Sequence, residues 1–559
     1  MISPRVLIIG GTGVFGKRLA KHLTSLPGIE LYVSSRSAEK AEAFARTIHS
    51  GAVPVHGIAL EHTLTLVAQL EAINPFVVID CSGPFQTARF DTAEAVLESG
   101  AHLIDLADAR NYLSNFGDHL DARAKSQNLS ALTGASSTPT LSACVVEHLT
   151  QGWQRIDSID LSITPGGKSE VGRSVIEAIL SYAGKKIPVW HNGAMGETYG
   201  WTGARGILIP KLGRRRVAPV ETLDAEFLGK RHAVQGHIRF SAGLESQIEQ
   251  FGIEWLACLR KYGVISKLDA LIPLLLKARK ITRIPTSDAG GMLVNIRGIN
   301  QDGTFVQATW SLLAREDHGP YIPVMPAAAA VEKLLTRGMP NGAGLAEEHL
   351  CLDEILAQTA QYNISTNTDI QPVTRGIFES YLGSQEFTDL PDAVRIFHSQ
   401  EAPPVWQGKA DIEGGASFMP KLIARLFGFP ATGKDVPVTV TVDKMIAENG
   451  DLSERWTRDF AGNGMSSVLT NRRDGSFTEQ FGPFIFTLPI TAKKDEIEMP
   501  VGAWCIGRLP LPRWLAPRSQ TREFQDADGA FRFDVRLSLP LLGILAHYRG
   551  WLKPVNQKE

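Results

Sequence analysis

The chain has 559 residues, of which 43% are hydrophobic and 21% charged, and its formal net charge is −2. That length is too great for one core and implies about three domains, while the missing basic excess argues against a nucleic-acid partner. Five scattered cysteines (Cys81, Cys144, Cys258, Cys351, Cys505), none in C-x-x-C spacing, fit reduced thiols in a cytoplasmic protein and fit neither disulfides nor zinc. No metal centre is expected.

The N-terminus runs straight into its first strand, which leaves no room for a signal peptide. Residues 6–9 are an apolar run that reads as a buried parallel strand. They lead into Gly11-x-Gly13-x-x-Gly16 and then an amphipathic helix with Phe15, Leu19 and Leu23 spaced four apart. Strand, glycine triplet and helix in register predict a dinucleotide-binding βαβ unit: a tight turn, a close approach of pyrophosphate at the second glycine, and helix–strand packing at the third. The free N–H groups of the helix start would face the phosphates. The expected cofactor-binding residues here are Gly10, Gly11, Thr12, Gly13, Val14, Phe15 and Gly16. The second strand, 30–36, ends in Ser34-Ser35-Arg36, where an NAD site wants a carboxylate for the ribose 2′-OH. Hydroxyls and a guanidinium suit a 2′-phosphate instead, so Ser35 and Arg36 point to NADP rather than NAD.

Strand and helix patterns then alternate to about residue 150, as a doubly wound parallel sheet requires. A helix at 38–48, a strand at 53–56 and a helix at 63–73 precede a fourth strand at 76–80. The loop after it holds Ser82, Gly83, Pro84 and Phe85, a close and stiff passage expected beside the cofactor. A helix at 88–99 leads to a fifth strand at 102–106. Beyond it, Asp105 is placed with the cofactor-binding residues, and Asp108 and Tyr112 are the catalytic candidates, as orienting carboxylate and proton donor. An aspartate there could equally cap the next turn. The sixth strand, 129–133, enters the loop 134–140. Loops at 81–86, 105–112 and 134–140 share the carboxyl edge of the sheet with the glycine loop, where ligands bind in such folds.

Residues 1–153 therefore read as the dinucleotide-binding domain. Residues 154–320 read as an inserted α+β domain for substrate or oligomerisation. Within it Tyr182-x-x-x-Lys186 has the short-chain dehydrogenase spacing, but Pro188 and its late position mark a chance match. The most apolar stretch, 268–276, is about half the length of a membrane span and reads as a buried helix, with a membrane-lying or pocket-closing helix as alternatives. Residues 321–357 carry a strong helix, 327–335, that returns to the first domain. The polar stretch 358–375 reads as a linker. The region 376–553 is rich in strand patterns and reads as a separate β-rich domain, in which arginines and tryptophans recur together at 455–458, 513–518 and 549–551. Such pairs commonly just hold β structure; the alternative is a curved sheet holding an amphipathic ligand whose acidic head meets the arginines.

Gly10-Gly-Thr-Gly-Val-Phe-Gly16, Asp80-Cys-Ser-Gly-Pro-Phe85, Asp105-Leu-Ala-Asp108 and Gly134-Ala-Ser-Ser-Thr-Pro139 resemble, in order, the saccharopine dehydrogenase-like reductases. This resemblance covers roughly residues 4–352. Arg455-Trp-x-Arg-x-Phe460, Glu479-x-Phe-Gly-Pro-Phe484 and His547-Tyr-Arg-Gly-Trp551 resemble the DUF4166 domain, whose name implies no chemistry. The first resemblance implies an NADP-dependent oxidoreductase of Rossmann fold, moving hydride to or from a C=N, C=O or C=C group. It does not carry over the lysine-pathway substrate. The expected partner is a small molecule, with apolar or acyl compounds among the options, and a homodimer is one option for assembly. The competing reading is a non-catalytic NADP(H)- or lipid-binding protein.

Overall fold

The computed structural model describes residues 3–555 except 50, 61–64, 171–172, 374, 416, 427, 447–450, 473, 508 and 541. The first apolar run forms β1 (Arg5–Ile9), and the helix after the glycine loop is α1 (Val14–Leu23). β2 (Glu30–Ser35), α2 (Ala38–Ile48), β3 (Val55–Ala59), β4 (Val77–Asp80), β5 (His102–Asp105) and β6 (Ser130–Thr133) follow. These six strands pair in parallel in the order β6-β5-β4-β1-β2-β3. Every residue of β4 and β6 is buried, as expected of parallel strands covered by helices on both faces. The third helix is described as Leu66–Ile73; residues 63 and 64 of the expected element lie outside the described residues.

The inserted domain has a mixed sheet of β7 (Arg155–Thr164), β8 (Lys186–His191), β9 (Ala194–Tyr199), β10 (Arg205–Ile209), β11 (Gly213–Pro219), β12 (His237–Ala242), β13 (Gly290–Ile299) and β14 (Phe305–Ala314). β12 runs parallel to β7, and β13 and β14 are antiparallel neighbours. The helix Met325–Thr336 then returns the chain, and β15 (Gly342–Leu345) adds a seventh parallel strand beside β6. Its sequence, Gly-Ala-Gly-Leu, has too little apolar content to announce a strand.

The stretch 358–375 is not a linker. Ile364–Pro372 forms β16, which pairs with β14 along its whole length as the edge of the inserted sheet. Its side chains are exposed on both faces, so backbone pairing, which leaves no apolar signature, holds it in place. A fragment ending at 357 would bare β14 as an unprotected edge, an invitation to intermolecular pairing. Fragment 1–357 is therefore expected to aggregate on heating where 1–373 stays soluble, and light scattering of the two during a thermal ramp checks this; equal scattering would show that β16 protects nothing.

Nor is 268–276 part of a buried helix. Leu268 and Ile272 pack inward, but the helix Ile272–Thr282 leaves Leu274 and Ile281 in solvent, and the helix Gln247–Lys261 beside it exposes Ile248, Phe251 and Trp255. The run is apolar beyond one face, so composition alone overstated its burial. Among the described residues no helix is long and apolar enough to cross a membrane.

The C-terminal region has its own core, built by residues from Ile377 to Leu552. Among the described residues thirteen antiparallel strands form one sheet that includes β17 (Val405–Gly414), β18 (Gly433–Ile446), β19 (Leu452–Phe460) and β20 (Asn463–Asn471). β17 pairs with Gly543–Pro554, so the two ends of the region meet within the sheet. Short helices between Ile377 and His398 pack Phe378, Phe397 and His398 against Trp406, Trp456 and Phe531.

This region is docked on the inserted domain through a buried ionic cluster. β18 alternates as a strand must: Val438, Val440 and Val442 face its own core, while Thr441 and Asp443 face outward. Asp443 accepts from His237 Nδ1 on β12 at 2.8 Å, and His237 Nε2 lies 3.3 Å from Asp160 on β7. Asp160 also holds Arg205 at 2.6 Å, and Arg239 and Arg297 at 3.4 Å. Arg155 donates to the Glu401 carbonyl at 3.0 Å, and Thr441 bonds Asn192.

Candidate functional site

A cleft of about 1040 Å³ opens at the carboxyl ends of β1, β2 and β4. Gly10, Thr12, Gly13, Val14 and Phe15 line one side, Ser34, Ser35 and Arg36 another, and Ser82 and Gly83 a third. Gly10 has φ +70°, a left-handed conformation that makes the turn out of β1. Each remaining glycine has a distinct steric reason. A Cβ on Gly11 would sit 2.5 Å from the Val33 side chain, and one on Gly16 would sit 2.4 Å from the Gly10 carbonyl. These two close the loop onto β2 and α1 onto β1, and neither lines the cleft. A Cβ on Gly13 would meet only the Gly10 carbonyl, at 3.1 Å, and otherwise project into the open cleft.

α1 starts at Gly13 with no side-chain cap, and its first internal bond runs from the Lys17 N–H to the Gly13 carbonyl. The N–H groups of Val14, Phe15 and Gly16 precede that bond and have no intrahelical acceptor. A helix start of this kind, with no acidic side chain in its first turn, favours an anionic ligand.

Beyond β2, Arg36 and Lys40 stand exposed and have no carboxylate partner among the described residues. Ser35 precedes this pair and Ser37 lies between its members, and the Ser37 hydroxyl caps α2 by accepting from the Lys40 N–H at 3.3 Å. Lys17, Lys40, Ser37 and Val175 extend the set expected from the sequence. The two lysines sit one turn inside helices, where a basic residue usually signals only a solvated face. Val175 comes from the helix Arg173–Tyr182, so the inserted domain overhangs the cleft.

Several residues expected in the site are turned away from it. Phe85 is buried in an aromatic stack, 5.2 Å from the Tyr112 ring, which in turn packs on Phe90 and Phe116. Tyr112 is a buried core residue of the helix Arg110–Ser126 and lies off the cleft lining; burial, with the nearby Asp105 and Asp80 carboxylates, pushes its hydroxyl far above the ordinary value. Asp105 faces inward as well. Its Oδ1 accepts from the Thr133 hydroxyl at 2.8 Å and from the Gly134 and Ala107 N–H groups at 2.9 and 3.0 Å. Burial still raises its pKa to about 7. It clamps two loops together rather than lining the cleft. Pro84 also lies off the lining. Cys81 borders the cleft, but burial and the Asp80 and Asp105 carboxylates push its thiol well up, the opposite of a reactive thiolate.

Asp108 also lies off the lining, but unlike Asp105 and Tyr112 it is exposed, and it is the catalytic candidate that remains. Solvent reaches it, yet protein walls surround it, and this desolvation holds its carboxyl above the usual range. Gln86, just past the Gly83 loop, donates to its Oδ1 at 3.1 Å. From the inserted domain Tyr182 approaches closely enough to feel the Asp108 charge, with its own hydroxyl pushed up mainly by burial. Lys186 is not its partner: it lies on β8, paired with Glu197 at 2.7 Å. A carboxyl with a raised pKa, steered by an amide and facing a second domain, can orient a polar substrate group or deliver a proton to it. Among the described residues no cluster could hold a metal ion.

Residues 390–552 match the family model of a domain of unknown function, DUF4166. No curated protein matches the chain. Among solved structures, the chain is similar to a saccharopine dehydrogenase (L-Glu forming) from Saccharomyces cerevisiae, at 13% identity over 66% of this chain and 100% of that one, with a TM-score of 0.47. It is also similar to GenD2 from gentamicin A biosynthesis, in complex with NAD (12% identity, 64% and 91% covered, TM-score 0.33). A third is an engineered D-amino acid dehydrogenase bound to NADP+ (16% identity, 64% and 99% covered, TM-score 0.34).

Proposed function

We propose that the protein is an NADP-dependent oxidoreductase that moves hydride to or from a C=N, C=O or C=C group of a small, apolar or acyl substrate. The observation that carries this reading is the exposed basic pair Arg36 and Lys40, without a carboxylate partner among the described residues, set with Ser35 and Ser37 at the end of β2 beside an uncapped helix start. These residues would hold the 2′-phosphate, and Gly13 with the first N–H groups of α1 would hold the pyrophosphate. The nicotinamide, when bound, supplies or accepts the hydride. The chain's own part is to seat the nucleotide, to cover the cleft from the inserted domain, and to orient or protonate substrate through Asp108 and Gln86.

NADPH is expected to bind at least about tenfold more tightly than NADH, since one charge-assisted contact of roughly 1.5–3 kcal/mol accounts for that ratio. Arg36→Asp should invert the preference, and equal affinities in a fluorescence titration would overturn the assignment. NADPH oxidation measured against a panel of carbonyl, imine and enoyl compounds then tests turnover. Asp108→Asn should lower any such rate by about 100-fold or more, the usual scale for losing a positioned proton donor, while leaving NADPH affinity unchanged. Binding with no turnover across the panel would favour the NADP(H)- or lipid-binding alternative.

A further inference from the structure

The C-terminal sheet curls around a cavity of about 370 Å³ lined from β18, β19 and β20 and from strands on either side of them, including Arg518–Gln525, Phe531–Leu539 and Phe484–Thr487. The size lies in the range of small-molecule sites, roughly 300–1,000 Å³, whereas protein interiors hold few voids larger than a water molecule. Phe429, Leu469, Phe481, Phe486, Phe533 and Leu545 are representative of a wall that is apolar almost throughout. The inward face of β18 contributes Val438 and Val440, on the strand whose outward face docks on the inserted domain.

The few polar groups in this wall define the ligand further, the Ser519 and Thr521 hydroxyls being bonded to each other at 2.6 Å. Arg458 on β19 is stacked over the Trp456 ring at 5.0 Å, donates to Ser467 at 2.9 Å and lies 3.6 Å from Glu479. Glu523 is bonded to the buried His398 at 2.5 Å. Tyr548 is buried, borders the cavity and makes no hydrogen bond to the protein among the described residues; burial raises its hydroxyl to about 12, so it stays a donor. The other arginines of the tail do not help an anion here. Arg455 lies in the domain interface near Arg239 and Asp443, and Arg513 and Arg518 do not line the cavity. An acidic head group would therefore meet two carboxylates and one guanidinium that is already paired.

We propose that this cavity binds an uncharged molecule with one long apolar body and a hydrogen-bond acceptor, such as a ketone or ester carbonyl, received by the Tyr548 hydroxyl. This revises the expectation of an acidic head, and it is independent of the reductase reading, because NADPH titration reports the other site by itself.

The test uses the full-length protein and the neutral fluorescent probe N-phenyl-1-naphthylamine, displaced by methyl laurate, 2-dodecanone, laurate and dodecane. Saturable binding of one probe per chain is expected, with the ester and ketone displacing it at about tenfold lower concentration than laurate above neutral pH, the size of one hydrogen bond to a carbonyl plus an avoided like charge. Val535→Trp, which fills the cavity, should abolish probe binding and leave NADPH affinity unchanged. Tyr548→Phe should keep probe binding but erase the preference of ester and ketone over dodecane. The proposal is overturned by an absence of saturable probe binding, by laurate displacing best, or by Tyr548→Phe retaining the carbonyl preference. Should Val535→Trp misfold, the Tyr548→Phe comparison decides alone.

Discussion

Gly13→Val is expected to weaken NADPH binding by about 100-fold or more, a loss of roughly 2.7 kcal/mol, while leaving the thermal unfolding of the protein unchanged. The asymmetry follows from what each glycine of the loop faces. A Cβ at Gly13 meets one carbonyl oxygen at 3.1 Å and otherwise enters the cleft, so the protein tolerates it and the ligand does not. Gly16→Val is the contrast. Its Cβ would lie 2.4 Å from the Gly10 carbonyl and 2.7 Å from the Gly11 Cα, which forces α1 off β1 and should cost about 1–3 kcal/mol of stability, as overpacking does. One variant should therefore lose ligand without stability, and the other should lose stability. Isothermal titration and differential scanning calorimetry on both check this. Normal NADPH affinity in Gly13→Val would mean that the triplet is not the phosphate site.

The features legible in the sequence were those written in side chains with one strong physical reason. The parallel sheet announced itself because β1 and β4 are buried on both faces and so read as unbroken apolar runs. The glycine loop did so because a positive φ at Gly10 and tight contacts of Gly11 with the Val33 side chain and of Gly16 with the Gly10 carbonyl leave no other residue type. What stayed hidden depended on backbone pairing or on side-chain direction. β15 is Gly-Ala-Gly-Leu and β16 is polar on both faces, so neither carries a period-two signal, although both complete a ladder. Asp105 and Asp108 are three residues apart, and only the structure shows that the first turns inward to bind the Thr133–Gly134 turn while the second stays exposed and accepts from Gln86. The tail arginines were alike in sequence, yet Arg455 and Arg458 stand on opposite faces of β19, one toward the neighbouring domain and one toward the cavity. Alternation along a strand assigns two faces but does not say which of them meets a partner.

Asp443→Ala is expected to destabilise the docking of the C-terminal domain by about 3–5 kcal/mol near pH 6, the scale for removing one partner of a buried ion pair. His237 would then stay buried against Asp160 with Arg239 and Arg455 nearby and one carboxylate fewer to balance them. The pH dependence of the intact protein follows from the same cluster. For His237, burial alone would lower the pKa, but the Asp443 and Asp160 carboxylates outweigh it and the guanidinium of Arg239, so the net direction is up from 6.5. That stabilisation is complete below 6.5 and fades as pH rises through the raised value. Asp443 is the reverse case: burial would raise it, yet His237 and Arg239 hold it at about 2 against an ordinary 3.8. Asp160 is likewise held well below 3.8, with Arg205 the leading cation opposing its burial. Their contribution is complete above 3.8 and is lost as pH falls toward 2. Docking should thus be firmest between about pH 4 and 6.5 and loosen progressively on the alkaline side, where His237 sheds its proton between Asp160, Asp443 and the cations Arg205, Arg239, Arg297 and Arg455. Amide hydrogen exchange at β12 and β18, followed from pH 6 to 9 after correction for the intrinsic rate, measures this loosening directly. Asp443→Asn should flatten the slope, since it removes the strongest reason for His237 to hold its proton. Protection that is constant across that range in the wild-type protein would show that the cluster contributes nothing to holding the two domains together.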